Sequence, residues 1–370
     1  MENLLRQLIQ ARSTTESGER EAAEVIASHF QQCGVNCHID RWEENRTNVV
    51  AHVQSTGRRP ALLFVCHLDV VSPGEEAWTH GPFEAHQANG RIYGRGAVDM
   101  KGGTTAAIAA ICRVIKSNVE LQGDVILAAT AGEETDSAGI KRFMQDTTAL
   151  PQPVGVIIPE PTDFAVVTAH RGLFWLDITT KGKAVHSSMP QRGVNAIMSM
   201  NRVLDALEHY EIPCEAHRLL GSCSVSVNTI TGGEGRNIVP DRCTISIDIR
   251  TLPGQDHGAI RYDIEHLLAR IKTEVPQFES ELSVYRSVEA METDPDAPFV
   301  QTFCDTVGVD MTNAIGYTTD APYVAGLGAP MLIYGPGKPG LCHQVDEYIE
   351  LADVEKAAEF YEAVIRQFLT

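Results

Sequence analysis

Apolar positions along this chain fall into two textures. In the first, short unbroken apolar runs of strand length alternate with stretches of helical spacing. Residues 1–12 set Leu and Ile among Glu, Arg and Gln at a helical period, and residues 19–33 repeat it with Ala22, Val25, Ile26 and Phe30. Residues 48–53 and 61–66 read as strands. Val125–Thr130 and residues 154–158 are continuously apolar, as strands covered on both faces are. Residues 100–116 open with Gly102-Gly103 and continue through small apolar side chains, which suits a buried helix lying close on a sheet. The alternation predicts an α/β unit with a mainly parallel sheet and helices on both faces.

Near His170 the texture changes. Residues 173–180, 224–230 and 242–250 alternate with period two, and residues 195–210 lie between them as an amphipathic helix. Such alternation predicts a half-exposed antiparallel sheet with helices on one face, an α+β module. After about Arg286 the first texture returns, with Pro298–Val307 helical, residues 330–334 a buried strand and residues 352–369 a closing helix. The expected organisation is an α/β domain of residues 1–170 and 286–370, interrupted by an inserted α+β domain at 171–285. No internal repeat or low-complexity tract is visible.

A length of 370 residues suits about two domains by the usual size prior. The 43% hydrophobic and 21% charged composition is that of an ordinary globular protein. Against 30 Lys+Arg stand 49 Asp+Glu, a formal net charge of −19, and such a surface repels nucleic acid and anionic lipid. Residues 1–12 lack the basic and apolar regions of a secretory leader, and no stretch reaches the roughly 18–20 apolar residues needed to span a bilayer. A cytoplasmic protein without nucleic-acid or membrane partners is expected. Nine cysteines, with no Cys-x-x-Cys pair and with Cys33 and Cys37 isolated from any second pair, read as reduced buried thiols.

The chemistry gathers where apolar runs stop. His67 and Asp69 follow residues 61–66, Asp99 follows a Gly-rich turn, and Glu133-Glu134 follow Val125–Thr130. Glu160 follows residues 154–159, and His343 follows residues 331–334. Open parallel sheets hold ligands beyond the carboxyl ends of their strands, so residues at such ends converge. A crowd of carboxylates repels itself unless a cation sits among it. Imidazole nitrogen and carboxylate oxygen suit zinc, with cobalt or manganese as substitutes. Asp69, two residues beyond His67, faces the same way and can hold the imidazole tautomer. Asp99 in its tight loop suits either a carboxylate bridging two cations or a cap for the following helix. Of Glu133 and Glu134, one can bind metal while its neighbour carries a proton; a solvated acidic turn is the alternative. Glu160 is held between two prolines, and His343 lies in a loop after Gly335-Pro336-Gly337.

Seven stretches then share one order: 81–83 with 90–103, 131–134, Glu160-Pro161-Thr162, 182–190, 237–240, 248–254 and 335–347. In these the chain resembles the co-catalytic zinc amidohydrolases that include acetylornithine deacetylase, succinyl-diaminopimelate desuccinylase and aminoacylase. Residues 319–323 and 335–347 look most like the acetylornithine deacetylase branch, from which Leu341-Cys342 departs. The resemblance implies two Zn2+ ions, one on His67 and Glu160, the other on His343 and Glu134, with Asp99 bridging. It implies that Asp69 orients His67, that Glu133 is the general base and acid, and that the Asp99–Met100 peptide is cis. It makes His186, in the 183–188 segment, a donor to the tetrahedral oxyanion, reaching the neighbouring subunit's site in dimeric members. Asn237 and Arg250 match substrate-holding positions, and a guanidinium fork suits an α-carboxylate, although Arg250 also suits a surface ion pair. The Gly335-Pro336-Gly337 turn suits either backbone N–H groups at Gly335 and Gly337 facing the same carboxylate or glycines that serve only the turn.

The expected activity is removal of an N-acyl group, acetyl first, from a small-molecule amino acid. Desuccinylase, N-acetylcitrulline deacetylase, aminoacylase and dipeptide-cleaving carboxypeptidase activities share the same site. A non-catalytic binder of acylated amino acids is the alternative of another class. A homodimer through the inserted domain is expected, as is hinge closure that carries Arg250 and His186 toward the metals.

Overall fold

The computed structural model describes residues 1–145 and 150–370. The chain divides into two compact units, one of Met1–Thr168, Thr293–Asn313 and Thr319–Thr370, the other of Ala169–Glu292 and Ala314–Thr318. It opens with helices α1 (Glu2–Gln10) and α2 (Arg20–Gln32), then strands β1 (Cys37–Trp42), β2 (Arg46–Val53) and β3 (Ala61–His67). A short hairpin, β4 (His86–Ala88) and β5 (Arg91–Tyr93), precedes helix α3 (Gly102–Lys116) and strand β6 (Val125–Thr130). Helix α4 (Ala138–Gln145) and strands β7 (Pro153–Ile158) and β8 (Val166–His170) complete the first passage. The middle of the chain forms β9 (Gly172–Lys181), α5 (Ala196–Glu208), β10 (Ser224–Gly232), β11 (Arg242–Thr251), α6 (His257–Glu274) and β12 (Glu279–Val288). The last part adds β13 (Met291–Glu292), α7 (Pro298–Val307), β14 (Thr312–Ile315), β15 (Met331–Ile333), β16 (Tyr348–Glu350) and α8 (Leu351–Leu369).

In the first unit, β6, β3, β7 and β15 lie side by side and parallel. Every residue of β3 and β6 is buried, which is why their sequences carry no polar alternation. A three-residue turn folds β1 back antiparallel to β2, and β2 in turn adds antiparallel to the β6 edge. Antiparallel β8 lies beyond β15, so the sheet is mixed, with a parallel centre. Helices α3 and α8 pack on each other and on β3. Gly103 lets α3 approach this closely, since a Cβ there would stand 1.9 Å from the Pro159 carbonyl oxygen. Register aligns the carboxyl ends: His67 lies opposite Thr130, and Ile333 opposite Ile158. The loops that follow those residues are the ones that carry acids and imidazoles.

The second unit is a four-stranded antiparallel sheet in the order β10-β11-β9-β12. Cys243, Ile245, Ile247 and Ile249 of β11 point with Phe174, Leu176 and Ile178 into a core closed by α5 and α6. Asn195 caps α5, its side chain accepting from the Met198 N–H. The period-two pattern anticipated β9, β10 and β11, whereas α6 and β12 left no comparable signal. All nine cysteines are free thiols, and not all are buried: Cys214 is exposed, and Cys33, Cys37, Cys223 and Cys342 are half-buried. Cys33 follows α2, Cys37 begins the edge strand β1, and Cys214, Cys223 and Cys342 lie in loops. Among the described residues, no helix is long and apolar enough to cross a membrane.

Candidate metal centre

His67 is the last residue of β3, and its imidazole Nε2 stands 3.0 Å from Asp99 Oδ1 and 3.5 Å from Glu160 Oε1. His343, from the loop after β15, places Nε2 at 3.2 Å from Asp99 Oδ2 and 3.1 Å from Glu134 Oε1. Asp99 therefore turns one carboxylate oxygen to each imidazole. Atoms of His67, Asp99 and Glu134 all lie within 4.8 Å of one another. Two ligands bound at 2.0–2.2 Å to one tetrahedral ion stand about 3.4 Å apart, so these separations fit donors that share a cation. His67 and Glu160 are buried, while half of the His343 side chain is open to solvent.

Electrostatics points the same way. Burial, reinforced by Asp99, pushes the Glu160 carboxyl well above its ordinary range. Burial and Asp99 also raise Glu134. Burial opposes the charge on His67, yet Glu160, Asp99 and Asp69 together raise its pKa well above the ordinary value. Hydrogen bonds to Asp99 and Glu134 lift His343 to about 10. Burial alone would raise Asp99, but the bonds from His343 and His67 outweigh it and hold the carboxyl low. Protons thus stand where cations fit, and a donor set of two imidazoles and three carboxylates suits divalent ions.

Asp69 differs from expectation. The His67 ring donates through Nδ1–H to the Asp69 backbone carbonyl at 2.9 Å, while the Asp69 carboxylate is 3.8 Å away. That carboxylate instead accepts from the backbone N–H groups of Gly132, Glu133 and Glu134 at 2.8, 3.0 and 3.0 Å. Three converging donors hold the carboxylate more strongly than one imidazole would. Asp69 still fixes the His67 tautomer, leaving Nε2 for Asp99, and also shapes the turn bearing both glutamates. Burial, followed by Asp320 and Glu134, raises the Glu133 carboxyl well above its ordinary range. Asp320, buried and acting on Glu133, stands in the sequence only as part of the 319–323 stretch.

Asp99 does not cap α3; Lys101 occupies that position without a side-chain cap. The Asp99–Met100 peptide is cis. Glu347 had no anticipated role, and it organises the whole turn. Fully buried, it accepts from Arg95 Nη1 at 2.7 Å and from the N–H groups of Gly96, Val98 and Asp99 at 3.0, 2.8 and 3.2 Å. The available signal was an arginine inside the Gly94–Gly96 turn and a glutamate four residues after His343.

Gly335 corrects a second expectation. Its N–H donates to Thr162 Oγ1 at 3.1 Å, and a Cβ there would meet the Glu160 carbonyl oxygen at 2.5 Å. The residue supports the Glu160 loop instead of offering a donor to substrate. Gly337, at φ 92°, takes a left-handed conformation and receives the Asp163 N–H at its carbonyl.

His186, Asn237 and Arg250 belong to the second unit. His186 is exposed, and its Nδ1 accepts from the Ser188 N–H at 3.2 Å, which leaves the proton on Nε2 in the neutral ring. Asn237 is exposed, and its carbonyl accepts from Ser187. Arg250 forks onto Asp248 at 2.9 and 3.1 Å, the ion pair that was its alternative reading.

A family model described as Peptidase family M20/M25/M40 matches residues 63–367. The chain is similar to a Staphylococcus epidermidis protein named probable succinyl-diaminopimelate desuccinylase, 30% identical, over 96% of this chain and 95% of that one. It is also similar to an acetylornithine deacetylase of Myxococcus xanthus, 28% identical, over 87% of this chain and 84% of that one. Among solved structures, an M20 family metallo-carboxypeptidase from Sulfolobus solfataricus has the same fold, with a TM-score of 0.81 at 20% identity over 99% of this chain and 98% of that one.

Proposed function

Since the chain belongs to peptidase family M20/M25/M40 and is an amidohydrolase, we propose that it uses two divalent cations to remove an N-acyl group, acetyl first, from an amino acid. The observation that carries this reading is the division of Asp99 between His67 and His343. His67 and Glu160 would hold one ion, His343 and Glu134 the other, and Asp99 both. Zinc suits this donor set, with cobalt or manganese as substitutes. Bound there, such ions polarise a carbonyl and make water more acidic.

Glu133 takes the proton of the attacking water and returns it to the leaving nitrogen; burial and the neighbouring acids raise its pKa and so favour its holding that proton. The Nε2–H of His186 donates to the oxyanion. Arg250, with Asn237 beside the substrate, pairs with the α-carboxylate, releasing part of its fork from Asp248. We assign residues 171–285 as a lid and dimerisation domain, and β10 as the edge through which a homodimer forms. A single-chain mass in sedimentation at working concentration would remove the dimer. The reading describes a cytoplasmic enzyme of amino-acid biosynthesis acting on small molecules.

The Staphylococcus epidermidis relative favours a second reading, with succinyl in place of acetyl. Turnover of N-acetylornithine, N-acetylcitrulline, N-succinyl-diaminopimelate, other N-acyl amino acids and dipeptides by metal-loaded protein separates these. The largest kcat/KM is expected for an N-acetyl amino acid. A tenfold preference for the succinyl compound would replace the first reading with the second. Binding without turnover of any would leave a non-catalytic homologue.

A further inference from the structure

The second unit holds two thiols in unusual proximity. Cys214 and Cys223 lie between α5 and β10, and their sulfurs are 2.7 Å apart. That separation falls between the roughly 2.05 Å of a disulfide and the contact distance of two unbonded sulfurs. Backbone geometry creates the approach. His217 and Gly221 face each other as an antiparallel bridge, with an N–H donated each way at 2.9 Å. The flanking segments therefore run beside each other, with Cys214 before the bridge and Cys223 after it.

The hairpin is anchored on several sides. Arg171 donates to the carbonyls of Leu220 and Ser222. Gln255 reaches the Pro213 carbonyl at 3.2 Å, and His217 Nε2 lies 3.0 Å from Glu292. These bonds hold both arms of the turn, so the proximity does not depend on a free loop. Cys214 is exposed and Cys223 half-buried. Burial, and Cys214 beside it, push the Cys223 thiol up to about 11, and Cys214, the exposed member of the pair, is the thiol a small disulfide can reach.

We propose that Cys214 and Cys223 are an oxidation site, closing a reversible disulfide by exchange with a small-molecule disulfide such as oxidised glutathione. Cys214 loses its proton, and its thiolate attacks one glutathione sulfur, breaking the S–S bond and releasing the first glutathione thiol. Cys223 then loses its proton and attacks the Cys214 sulfur of the mixed disulfide, expelling the second. Two protein thiols are oxidised, one glutathione disulfide is reduced to two thiols, and the protons pass to the leaving thiolates. The product is a small ring across the hairpin, which restricts the unfolded chain of this unit.

The full-length, metal-loaded protein is equilibrated with oxidised and reduced glutathione at set ratios, quenched with an alkylating reagent and mapped by peptide mass. Under oxidised glutathione, two alkylatable thiols are lost, the 214 and 223 peptides become linked, and reductant restores both. The melting temperature rises by a few degrees in the oxidised protein, and neither C214S nor C223S shows the rise. Both thiols remaining alkylatable, a glutathione adduct persisting on Cys214, or a link to another cysteine would each overturn the proposal.

Discussion

Glu133 and Glu134 are adjacent in the chain but face different partners. Glu134 meets His343 at 3.1 Å, whereas Glu133 feels burial and Asp320. Removing the acid–base capacity of Glu133 without changing its shape should therefore spare the donor cluster. Glu133→Gln is expected to keep full metal content and lose on the order of 10²–10⁴-fold in kcat. Near-normal turnover by this variant would exclude Glu133 as the proton carrier. Asp99→Ala removes a side chain shared by both imidazoles, so both ions should be lost together, as metal analysis after dialysis would reveal. Retention of one ion would mean that Asp99 serves a single site. Glu133 and His343 were legible as the first acid or imidazole after an apolar run, Glu134 as the neighbour of Glu133, and Asp99 by its Gly-rich turn. The partner of each carboxylate oxygen was not, as the Asp69 side chain shows by holding residues 132–134.

At the level of elements, two contacts set the position of Asp99. Helix α3 begins against the end of β7, and any side chain at Gly103 collides with the Pro159 carbonyl. Gly103→Ala should force a shift of the helix start and cost about 1–3 kcal/mol in chemical denaturation. An unchanged midpoint would show that the helix has room to move. The turn before α3 hangs on Glu347, whose carboxylate gathers Arg95 and three backbone donors. Glu347→Gln retains the size but weakens this grip, and metal affinity should fall by about 10–100-fold in a competition titration with a chromogenic chelator. Unaltered affinity would show that the turn holds its shape without this charge. Strand periodicity announced β3, β6 and β7, since strands buried on both faces need unbroken apolar runs. It carried no trace of Glu347, because one glutamate in a polar loop looks like any other.

For the whole molecule, the acid–imidazole cluster ties stability to pH. Glu133, Glu134 and Glu160 are raised above their unfolded values, so the metal-free fold binds their protons more tightly than the unfolded chain does. His67 and His343 are raised as well, His343 to about 10. For all five groups the contribution is present at low pH and is lost as pH rises through the folded-state values. Asp99, held low, contributes above its unfolded value and so changes little in the neutral range. Cations must displace these protons, so their binding strengthens as pH rises. The gap in melting temperature between metal-loaded and chelator-treated protein should widen steadily from about pH 6 to pH 9. A constant gap would mean that the cluster does not exchange protons for metal.

The order of elements, the change of texture near His170, and the placing of His67, Asp99, Glu133, Glu134, Glu160 and His343 at the ends of apolar runs follow from the sequence by itself. Each is a local consequence of which side chains a strand or helix must bury. Only the tertiary structure decided that Asp99 divides its oxygens between two imidazoles, that Asp248 takes the fork of Arg250, and that Cys214 meets Cys223. The first depends on the path of loops between segments far apart in the chain, the second on how two side chains turn on one face of β11, and the third on the course of a single hairpin.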